Sequence, residues 1–409
     1  MTKLEEMLKY VSEHNEFYKN RIKEYGIKDP LDITQWPILT RKELQENRYN
    51  MFSEGYDLMY YSKQLLRRHS SGTSGIPINV YWSSNDYFAS MLSLWRLRKK
   101  YYAILPDSKC VAFNFGRLNK TILQGLRYRY NKNEISVMSS SLYNAETYRE
   151  LILLIQSYEP EWLYIQPSVL SNLIFYYQHF NIAPPVSIRY IETVGEILSE
   201  TVRKKSSEFF DATVANMYGS EEMNGIAYEC PNNHMHILCD NVFVECLKQN
   251  NTIESAGSGD AIITNLNNKA MPLIRYYQGD GITLDVTKEC LCEKRENIVS
   301  NIEGRIRNKI INRDMIITPF MLVRVIDFVN NRFNEPIRRF KFDYYFDQKH
   351  LICTLWVEGD CLGWSTAIKT AVMEQLKPYC FDILTINISS TNNEVFNKMA
   401  KDEILTIHN

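Results

Sequence analysis

The sequence predicts an α/β fold in which a large layered α/β domain with mostly parallel sheets precedes a small α+β domain. The chain has 409 residues, more than the roughly 250 to 300 at which one hydrophobic core stops growing, so two lobes are expected. Strand-like and helical patterns alternate from about Ser83 to Val286, and the pattern changes after Gly304. We place the boundary so that residues 1–307 form the large domain and 308–409 the small one.

Helical patches alternate with proline-containing turns over the first 65 residues. In the run IKDPLDITQWPILTRKELQEN, Thr40 is the expected N-cap of a helix that starts at Arg41. The threonine hydroxyl accepts a hydrogen bond from a backbone N–H of the first turn, which has no partner within the helix.

Short apolar runs predict strands in the central part of the chain, at KCVAFNF, WLYIQP, IRYIETV and AIITNL. Longer stretches with helical periodicity predict helices at ETYRELILLIQSY and SETVRKKSSEFF. Alternation of strands with helices is typical of a parallel, layered α/β domain.

The C-terminal hundred residues have a different order of elements. A helix is predicted at MLVRVIDFVNNRF, then strands at RRFKFDYYF and HLICTLWVEG, a helix at STAIKTAVMEQLKPY and a strand at DILTINISS. This order is typical of a small α+β domain.

Composition excludes several classes of function. Lys plus Arg number 47 and Asp plus Glu number 48, so the net charge of -1 provides no broad surface for nucleic acid. No run approaches the ~18 consecutive apolar residues of a membrane span. The charged N-terminus does not resemble an export signal, and nine scattered cysteines fit a reducing compartment. We therefore expect a cytoplasmic protein that acts on small molecules, as a monomer or a homodimer.

A segment rich in hydroxyl residues and glycine, HSSGTSGIP, starts at His69. Exposed backbone N–H groups and hydroxyls in such a loop can bind phosphate oxygens, although an ordinary exposed turn has the same composition. The loop is not that of a P-loop kinase, because Ile76 stands where that pattern requires lysine. The candidate phosphate-binding residues are Ser70, Ser71, Gly72, Thr73, Ser74 and Gly75.

Cysteines and histidines suggest a second site, with five residues between Cys230 and His236, and with Cys290 and Cys292 about fifty residues later. Four nitrogen and sulfur ligands are typical of a structural zinc site. Two alternatives remain open here: His234 or Cys239 replaces one of the ligands, or the cysteines are buried free thiols.

After the loop come two motifs, Tyr218-Gly219-Ser220-Glu221-Glu222 and Arg275-Tyr276-Tyr277-Gln278-Gly279-Asp280. They are similar to the Tyr-Gly-x-Thr-Glu and R-Y-x-x-G-D motifs of the adenylate-forming superfamily, and their order and spacing match. Gly304-Arg305 is similar to the hinge motif that opens the family's small domain. Gly195-Glu196 is similar to a pair that lies beside the adenine.

Two further stretches resemble the phenylacetate-CoA ligase subfamily, which includes proteins from capsule-biosynthesis loci. One is Phe17-Tyr18-Lys19-Asn20-Arg21 followed by the turn from Pro37 to Lys42, and the other is Thr264-Asn265-Leu266 followed by the run from Met271 to Tyr276. The resemblance covers roughly residues 12 to 310.

The resemblance implies a role for each motif. The loop from Ser70 to Gly75 embraces the ATP phosphates, Tyr218 lies against adenine with Gly219 beside it, Glu222 holds magnesium and Asp280 accepts hydrogen bonds from the ribose. Arg305 belongs to the hinge of a mobile small domain. That domain supplies a catalytic lysine between the carboxylate and the α-phosphate, and Lys398 is the best candidate by its distance from the preceding strand.

Three departures from the family pattern bear on activity. Glu221 replaces the usual threonine or serine, the loop lacks the lysine often found before its proline, and Arg307 and Asn308 stand where the hinge carboxylate is expected. The last hundred residues match the family in pattern only.

The expected function is ATP-dependent activation of a carboxylic acid through an acyl-adenylate, with release of pyrophosphate and transfer of the acyl group to CoA or another acceptor. ATP and magnesium are the expected cofactors, with CoA as a candidate co-substrate. A ligase that makes an amide or ester without CoA, and an inactive nucleotide-binding or scaffold homologue, are the alternatives.

Overall fold

The structure is a computed structural model that describes residues 1–69, 78–114, 125–142, 145–287, 290–292, 298–305, 310–312, 315–317, 319–333, 336–357, 363–379, 381–390 and 405–408. These residues divide into two compact units. The first unit contains 1–105 and 217–302, and the second contains 106–216 and 303–409.

The α-helices of the described residues are α1 (Lys3–His14), α2 (Glu16–Tyr25), α3 (Arg41–Glu46), α4 (Tyr56–Tyr61), α5 (Ser84–Tyr102), α6 (Ala145–Tyr158), α7 (Pro167–His179), α8 (Glu200–Phe210), α9 (Pro319–Arg332) and α10 (Ser365–Leu376). None of them is long and apolar enough to cross a bilayer.

The described strands are β1 (Leu66–His69), β2 (Asn79–Trp82), β3 (Cys110–Asn114), β4 (Tyr128–Asn131), β5 (Glu134–Met138), β6 (Trp162–Ile165), β7 (Tyr190–Val194), β8 (Thr213–Ser220), β9 (Asn224–Glu229), β10 (Met235–Ile237), β11 (Val242–Leu247), β12 (Ile253–Glu254), β13 (Gly257–Asn265), β14 (Tyr276–Asp285), β15 (Ile298–Arg305), β16 (Ile310–Asn312), β17 (Met315–Ile317), β18 (Ile337–Tyr345), β19 (His350–Val357), β20 (Ile383–Ser390) and β21 (Leu405–His408).

The first unit places its N-terminal helices beside an antiparallel sheet. Strand order is β12-β11-β13-β14-β15-β10-β9-β8, and β8 is the strand in which the chain passes from the second unit to the first. The pairs β8–β9, β9–β10, β10–β15, β11–β13 and β13–β14 are antiparallel. Within this stretch the described chain connects strands by turns rather than helices, so the antiparallel direction follows.

The predicted N-cap at Thr40 is confirmed. Its hydroxyl accepts a hydrogen bond from the Glu43 backbone N–H at 3.2 Å, and the Glu43 carboxylate accepts one from the Thr40 backbone N–H at 2.8 Å. This capping box fixes the start of α3 and therefore the position of Arg41, the first helical residue.

The second unit contains the parallel part of the fold. Strand β3 pairs in parallel with β5 and β6, and β6 pairs in parallel with β7. Helices α6, α7 and α8 follow strands of this sheet, and their apolar faces share one core with it, including Leu151, Leu170, Val111, Leu163 and Ile191. The α/β class and the strand–helix alternation predicted for this part of the chain are confirmed.

The C-terminal part of the second unit forms a smaller sheet of order β20-β19-β18-β21 with α9 and α10. Inward and outward residues alternate along β19, with Leu351, Cys353, Leu355 and Val357 buried. All five elements predicted in this region are found. Six of the eight residues of β19 are apolar, and this short apolar run is what predicted the strand.

Candidate functional site

Tyr218 and Asp280 are 62 residues apart in sequence and meet in the first unit. The Tyr218 hydroxyl donates a hydrogen bond to the Asp280 carboxylate at 2.7 Å. One residue lies near the end of β8 and the other within β14. Two of the predicted nucleotide-binding motifs therefore form one site.

A bulge in β14 directs Asp280 toward this site. Ile262 lies opposite Tyr277, and Asp260 lies opposite Gly281, so two steps along β13 correspond to four along β14. The two extra residues of β14 lie within 278–280. Gly279 in this segment has a φ of +84°, which residues other than glycine rarely adopt. Bulges of this kind redirect side chains at functional sites.

The other motif, from Tyr218 to Glu222, lies at the tip of the β8–β9 hairpin. Ser220 pairs with Asn224, and the Ser220 hydroxyl accepts a hydrogen bond from the Met223 backbone N–H at 3.2 Å. Gly219 is needed because the two strands are very close there: a Cβ at this position would lie 2.4 Å from the Asn224 carbonyl oxygen.

The two adjacent glutamates of the hairpin tip have different surroundings. The Glu222 side chain is only 6% exposed and lies 3.9 Å from the Arg41 guanidinium, whose side chain is 13% exposed. Glu221 is 41% exposed and forms an ion pair with Arg68 at 2.9 Å. Glu222 therefore holds its carboxylate in a low-dielectric corner next to a cation, whereas solvent screens the Glu221 pair.

The Arg68–Glu221 ion pair also connects the hairpin tip with the strand that precedes the predicted phosphate-binding loop. Arg68 belongs to β1, which pairs with β2 so that His69 lies opposite Asn79. The segment that links these two strands, Ser70 to Pro77, lies outside the described residues. Its predicted phosphate-binding residues, Ser70, Ser71, Gly72, Thr73, Ser74 and Gly75, therefore stay predictions.

The stretches that resemble the phenylacetate-CoA ligase subfamily contact one another. The buried Tyr18 hydroxyl donates to the Pro272 carbonyl at 2.9 Å and accepts from the Ile274 N–H at 3.0 Å. Burial raises the pKa of the Tyr18 phenol above its usual range, so the hydroxyl stays protonated and keeps this donor role. The Arg21 guanidinium donates to the Ile38 carbonyl at 3.1 Å. These contacts hold the chain that leads into β14.

Arg275, the arginine of the R-Y-x-x-G-D motif, is buried in the same region. Its guanidinium forms a two-pronged ion pair with Glu245, with Nε 2.9 Å from a carboxylate oxygen, and donates to the Trp36 carbonyl at 2.9 Å. Its backbone N–H donates to the Thr264 hydroxyl at 2.9 Å. Arg275 therefore positions the motif, and its guanidinium is used within the fold.

Gly195 and Glu196 lie in the second unit, just after β7. Gly195 has a φ of +78°. The Glu196 carboxylate accepts two hydrogen bonds from Ser168, one from its backbone N–H and one from its hydroxyl, both at 2.9 Å, at the start of α7. These contacts give Glu196 a capping role, and its predicted place beside adenine stays a prediction.

Two other predicted residues belong to the C-terminal part of the chain. Arg305 is the last residue of β15, and its side chain is not described. Lys398 lies outside the described residues. Its catalytic role stays a prediction.

The predicted zinc ligands Cys230, His236, Cys290 and Cys292 are brought together in the first unit. Their ligand atoms all lie within 4.8 Å of one another. His234 and Cys239, the alternative ligands, are not part of this group among the described residues.

Sequence reasoning did not assign Arg41 or Arg68 to the site. Both contact the hairpin tip from positions more than 150 residues earlier in the chain, so no local pattern connects them with it. A local signal existed for Arg41 alone: the capping box that starts with Thr40 places it at the first helical position.

Comparison with known proteins identifies relatives of the chain, although no protein-family model matches it. The phenylacetate-coenzyme A ligase of Thermus thermophilus is 24% identical over 343 residues, 79% of this chain and 73% of the relative. Protein CapK of Staphylococcus aureus is 22% identical, and the match covers 80% of this chain and 72% of CapK. The chain is therefore similar to phenylacetate-CoA ligases and to CapK, as the resemblance to adenylate-forming ligases predicted. The predicted resemblance is confirmed.

A solved structure supports the same fold for nearly the whole chain. The crystal structure of a 2-hydroxyisobutyryl-CoA ligase, in the postadenylation state and in complex with R3-HIB-AMP, matches with a TM-score of 0.77. The match covers 98% of this chain and 87% of that one at 15% sequence identity. At this identity the match establishes the fold of the superfamily.

Replacing Gly219 by alanine is expected to destabilise the first unit by about 1 to 3 kcal/mol, the usual cost of overpacking. The added Cβ would overlap the Asn224 carbonyl, which is backbone and has no rotamer to change. Urea unfolding measures the loss. Gly363→Ala is the matched control, because its Cβ would meet nothing within 4 Å. Equal stability of the two variants would contradict the close approach.

Proposed function

We propose that the protein activates a carboxylic acid with ATP and transfers the acyl group to a thiol acceptor, CoA. In the first step a carboxylate oxygen attacks the α-phosphorus, the bond from that phosphorus to the bridging oxygen breaks, and pyrophosphate leaves. In the second step the thiol sulfur replaces AMP on the acyl carbon. The acid itself is not identified by the described residues.

The hydrogen bond between Tyr218 and Asp280 is the observation that carries this proposal. An aromatic ring and a carboxylate held side by side suit a nucleoside, because the ring stacks on the base and the carboxylate accepts from the ribose hydroxyls. The hydrogen bond and the β14 bulge hold both groups in place before ATP arrives. Less entropy is then lost on binding.

Glu222 fits the requirements of a magnesium ligand. Magnesium takes one or two carboxylates together with phosphate oxygens of the substrate, and Glu222 provides a buried carboxylate on the same hairpin as Tyr218. When bound, magnesium offsets the charge of the phosphates and of the leaving pyrophosphate. Arg41 adds a second positive charge at this corner, 3.9 Å from the Glu222 carboxylate.

We infer that residues 308–409 act as a mobile domain, with Arg305 in its hinge and Lys398 as the residue that bridges the carboxylate and the α-phosphate. The support is the family pattern together with the separate small sheet that this part of the chain forms. A lysine at this point would lower the repulsion between two anions as they approach.

CoA is the proposed acceptor because several relatives are named CoA ligases. An amine or hydroxyl acceptor, as in a ligase that makes an amide or ester, is the second candidate. A third candidate is a homologue that binds nucleotide without activating an acid. Glu221 favours this candidate, because Glu221 occupies the place of the family's threonine and is paired with Arg68.

Exchange of labelled pyrophosphate into ATP across aryl, short-chain and sugar acids tests the first step. Exchange that depends on one class of acid is the expected result, and consumption of the acyl-adenylate on addition of CoA then identifies the acceptor. A stable acyl-adenylate that reacts only with amines or alcohols would select the second candidate. If the protein binds ATP but no acid supports exchange of pyrophosphate, the third candidate, a homologue that binds nucleotide without activating an acid, is selected.

Replacing Asp280 by asparagine is expected to raise the Kd for ATP about tenfold, the free energy of one charge-assisted hydrogen bond. Asparagine keeps an acceptor for the Tyr218 hydroxyl, so the fold is retained. Calorimetry with ATP and magnesium measures the change. Asp260→Asn is the matched control, because Asp260 accepts from the Tyr277 hydroxyl at 2.6 Å on the same pair of strands. Equal affinities of the two variants would argue against a ribose contact.

A further inference from the structure

Four sulfur and nitrogen atoms converge in the first unit at a place that the proposed activity does not use. They belong to Cys230, His236, Cys290 and Cys292, and each lies within 4.8 Å of the others. Cys230 and His236 are buried, and Cys290 and Cys292 are half-buried. We refer to these residues as the Cys3His cluster.

Two separate pieces of chain build the Cys3His cluster. Cys230 and His236 flank a tight hairpin between β9 and β10, which closes with a hydrogen bond from the Cys230 N–H to the His234 carbonyl at 2.9 Å. Cys290 and Cys292 lie between β14 and β15, and β15 returns to pair with β10 so that Ile298 lies opposite His236. The pairing of β10 with β15 brings the two pieces together.

The distances within the Cys3His cluster are those of ligands around one metal ion. Tetrahedral zinc with Zn–S near 2.3 Å and Zn–N near 2.05 Å separates two sulfurs by about 3.8 Å and a sulfur and a nitrogen by about 3.5 Å. The Cys230 and Cys290 sulfurs are 3.6 Å apart, and the Cys292 sulfur is 3.2 Å from His236 Nε2. A disulfide has its sulfurs about 2.0 Å apart, so none joins Cys230 to Cys290.

The donor set selects the metal and its role. Thiolate and imidazole ligands suit zinc, whereas magnesium and calcium prefer oxygen. With all four tetrahedral positions supplied by the protein, no position remains for water or substrate. The Asn232 amide also lies 3.7 Å from the Cys290 sulfur, as a donor that would stabilise a bound thiolate.

We propose that the Cys3His cluster binds one zinc ion as a closed structural site. The ion cross-links the β9–β10 hairpin to the chain between β14 and β15. Strand β14 carries Asp280, and β9 starts beside the hairpin tip that carries Glu222. The six residues of β9 place the ion roughly 20 Å from that tip, at ~3.3 Å per residue, so it stabilises strands and takes no part in acyl transfer.

Metal content of the purified full chain tests this site without reference to activity. Expression in zinc-supplemented medium is expected to give about one zinc per chain, released when an organomercurial blocks the thiols. Cobalt introduced in place of zinc is expected to show the visible absorption of a tetrahedral thiolate complex. Protein without stoichiometric zinc, or with a Cys230–Cys290 disulfide when isolated without added oxidant, would overturn the site.

Cysteine variants separate the proposed ligands from other thiols. Cys292→Ser is expected to lose most of the zinc, while Cys239→Ser, which changes an exposed cysteine outside the Cys3His cluster, keeps it. A chelator is expected to lower the Tm of the wild-type protein and of Cys239→Ser. If Cys292→Ser fails to fold, the zinc content of the wild-type protein decides whether the Cys3His cluster binds zinc. Equal zinc content in Cys292→Ser and Cys239→Ser would contradict the proposed ligands.

Discussion

Replacing Glu222 by glutamine is expected to reduce the rate of ATP–pyrophosphate exchange roughly 100-fold or more, a typical loss when one preorganised electrostatic group is removed. Glutamine preserves the shape of the side chain and removes its charge. The buried corner would then hold the Arg41 cation without the carboxylate that faces it at 3.9 Å. The repulsive cation and the lost metal ligand both oppose binding of magnesium.

Glu221→Gln is the matched control, one residue away on the same hairpin tip. Its carboxylate is 41% exposed, and its ion pair with Arg68 is screened by solvent, so exchange is expected to change only a few-fold. The magnesium concentration for half-maximal exchange should rise in Glu222→Gln and stay constant in Glu221→Gln. Equal magnesium dependence in the two variants would mean that Glu222 has a structural role only.

The secondary structure of the second unit was predicted well from sequence, because each of its strands buries one face and each of its helices buries one apolar stripe. The short apolar run in HLICTLWV matches β19, and the helical period of ETYRELILLIQSY matches α6. In these elements the local pattern and the tertiary environment require the same structure. Each prediction could therefore be made without knowledge of distant contacts.

The antiparallel strands of the first unit were harder to predict from sequence. Hairpins such as β8–β9 depend on one close backbone approach at Gly219 and on a positive φ at Asn224, not on apolar periodicity. Contacts between residues far apart in the chain, such as Arg41 with Glu222, have no local signal.

The motifs recognised by resemblance divide into two physical groups. Tyr218 contacts Asp280, and Glu222 lies on the same hairpin as Tyr218. Tyr18, Arg21 and Arg275 instead support the strand that carries Asp280. The resemblance assigned binding roles to the first group and gave the second group none. Burial and hydrogen bonding distinguish them: the supporting side chains use their polar groups within the fold.

Replacing Arg275 by methionine is expected to lower the free energy of unfolding of the first unit by about 3 to 5 kcal/mol. Methionine fills similar space and leaves the Glu245 carboxylate buried, with its side chain 7% exposed and its guanidinium partner gone. The carbonyls of Thr34 and Trp36 lose a donor as well. Urea unfolding, with hydrogen exchange of β11 and β14 to assign the loss to this unit, measures the effect.

The double variant Arg275→Met with Glu245→Met separates the cost of an isolated charge from the value of the pair. Because the unpaired carboxylate is then absent, the double variant is expected to be more stable than Arg275→Met alone. Arg189→Met is the matched control: its ion pair with Glu161 at 3.0 Å is 43% and 39% exposed, so its loss should cost about 1 kcal/mol or less. Equal destabilisation by Arg275→Met and Arg189→Met would show that the buried pair does not hold the β14 strand.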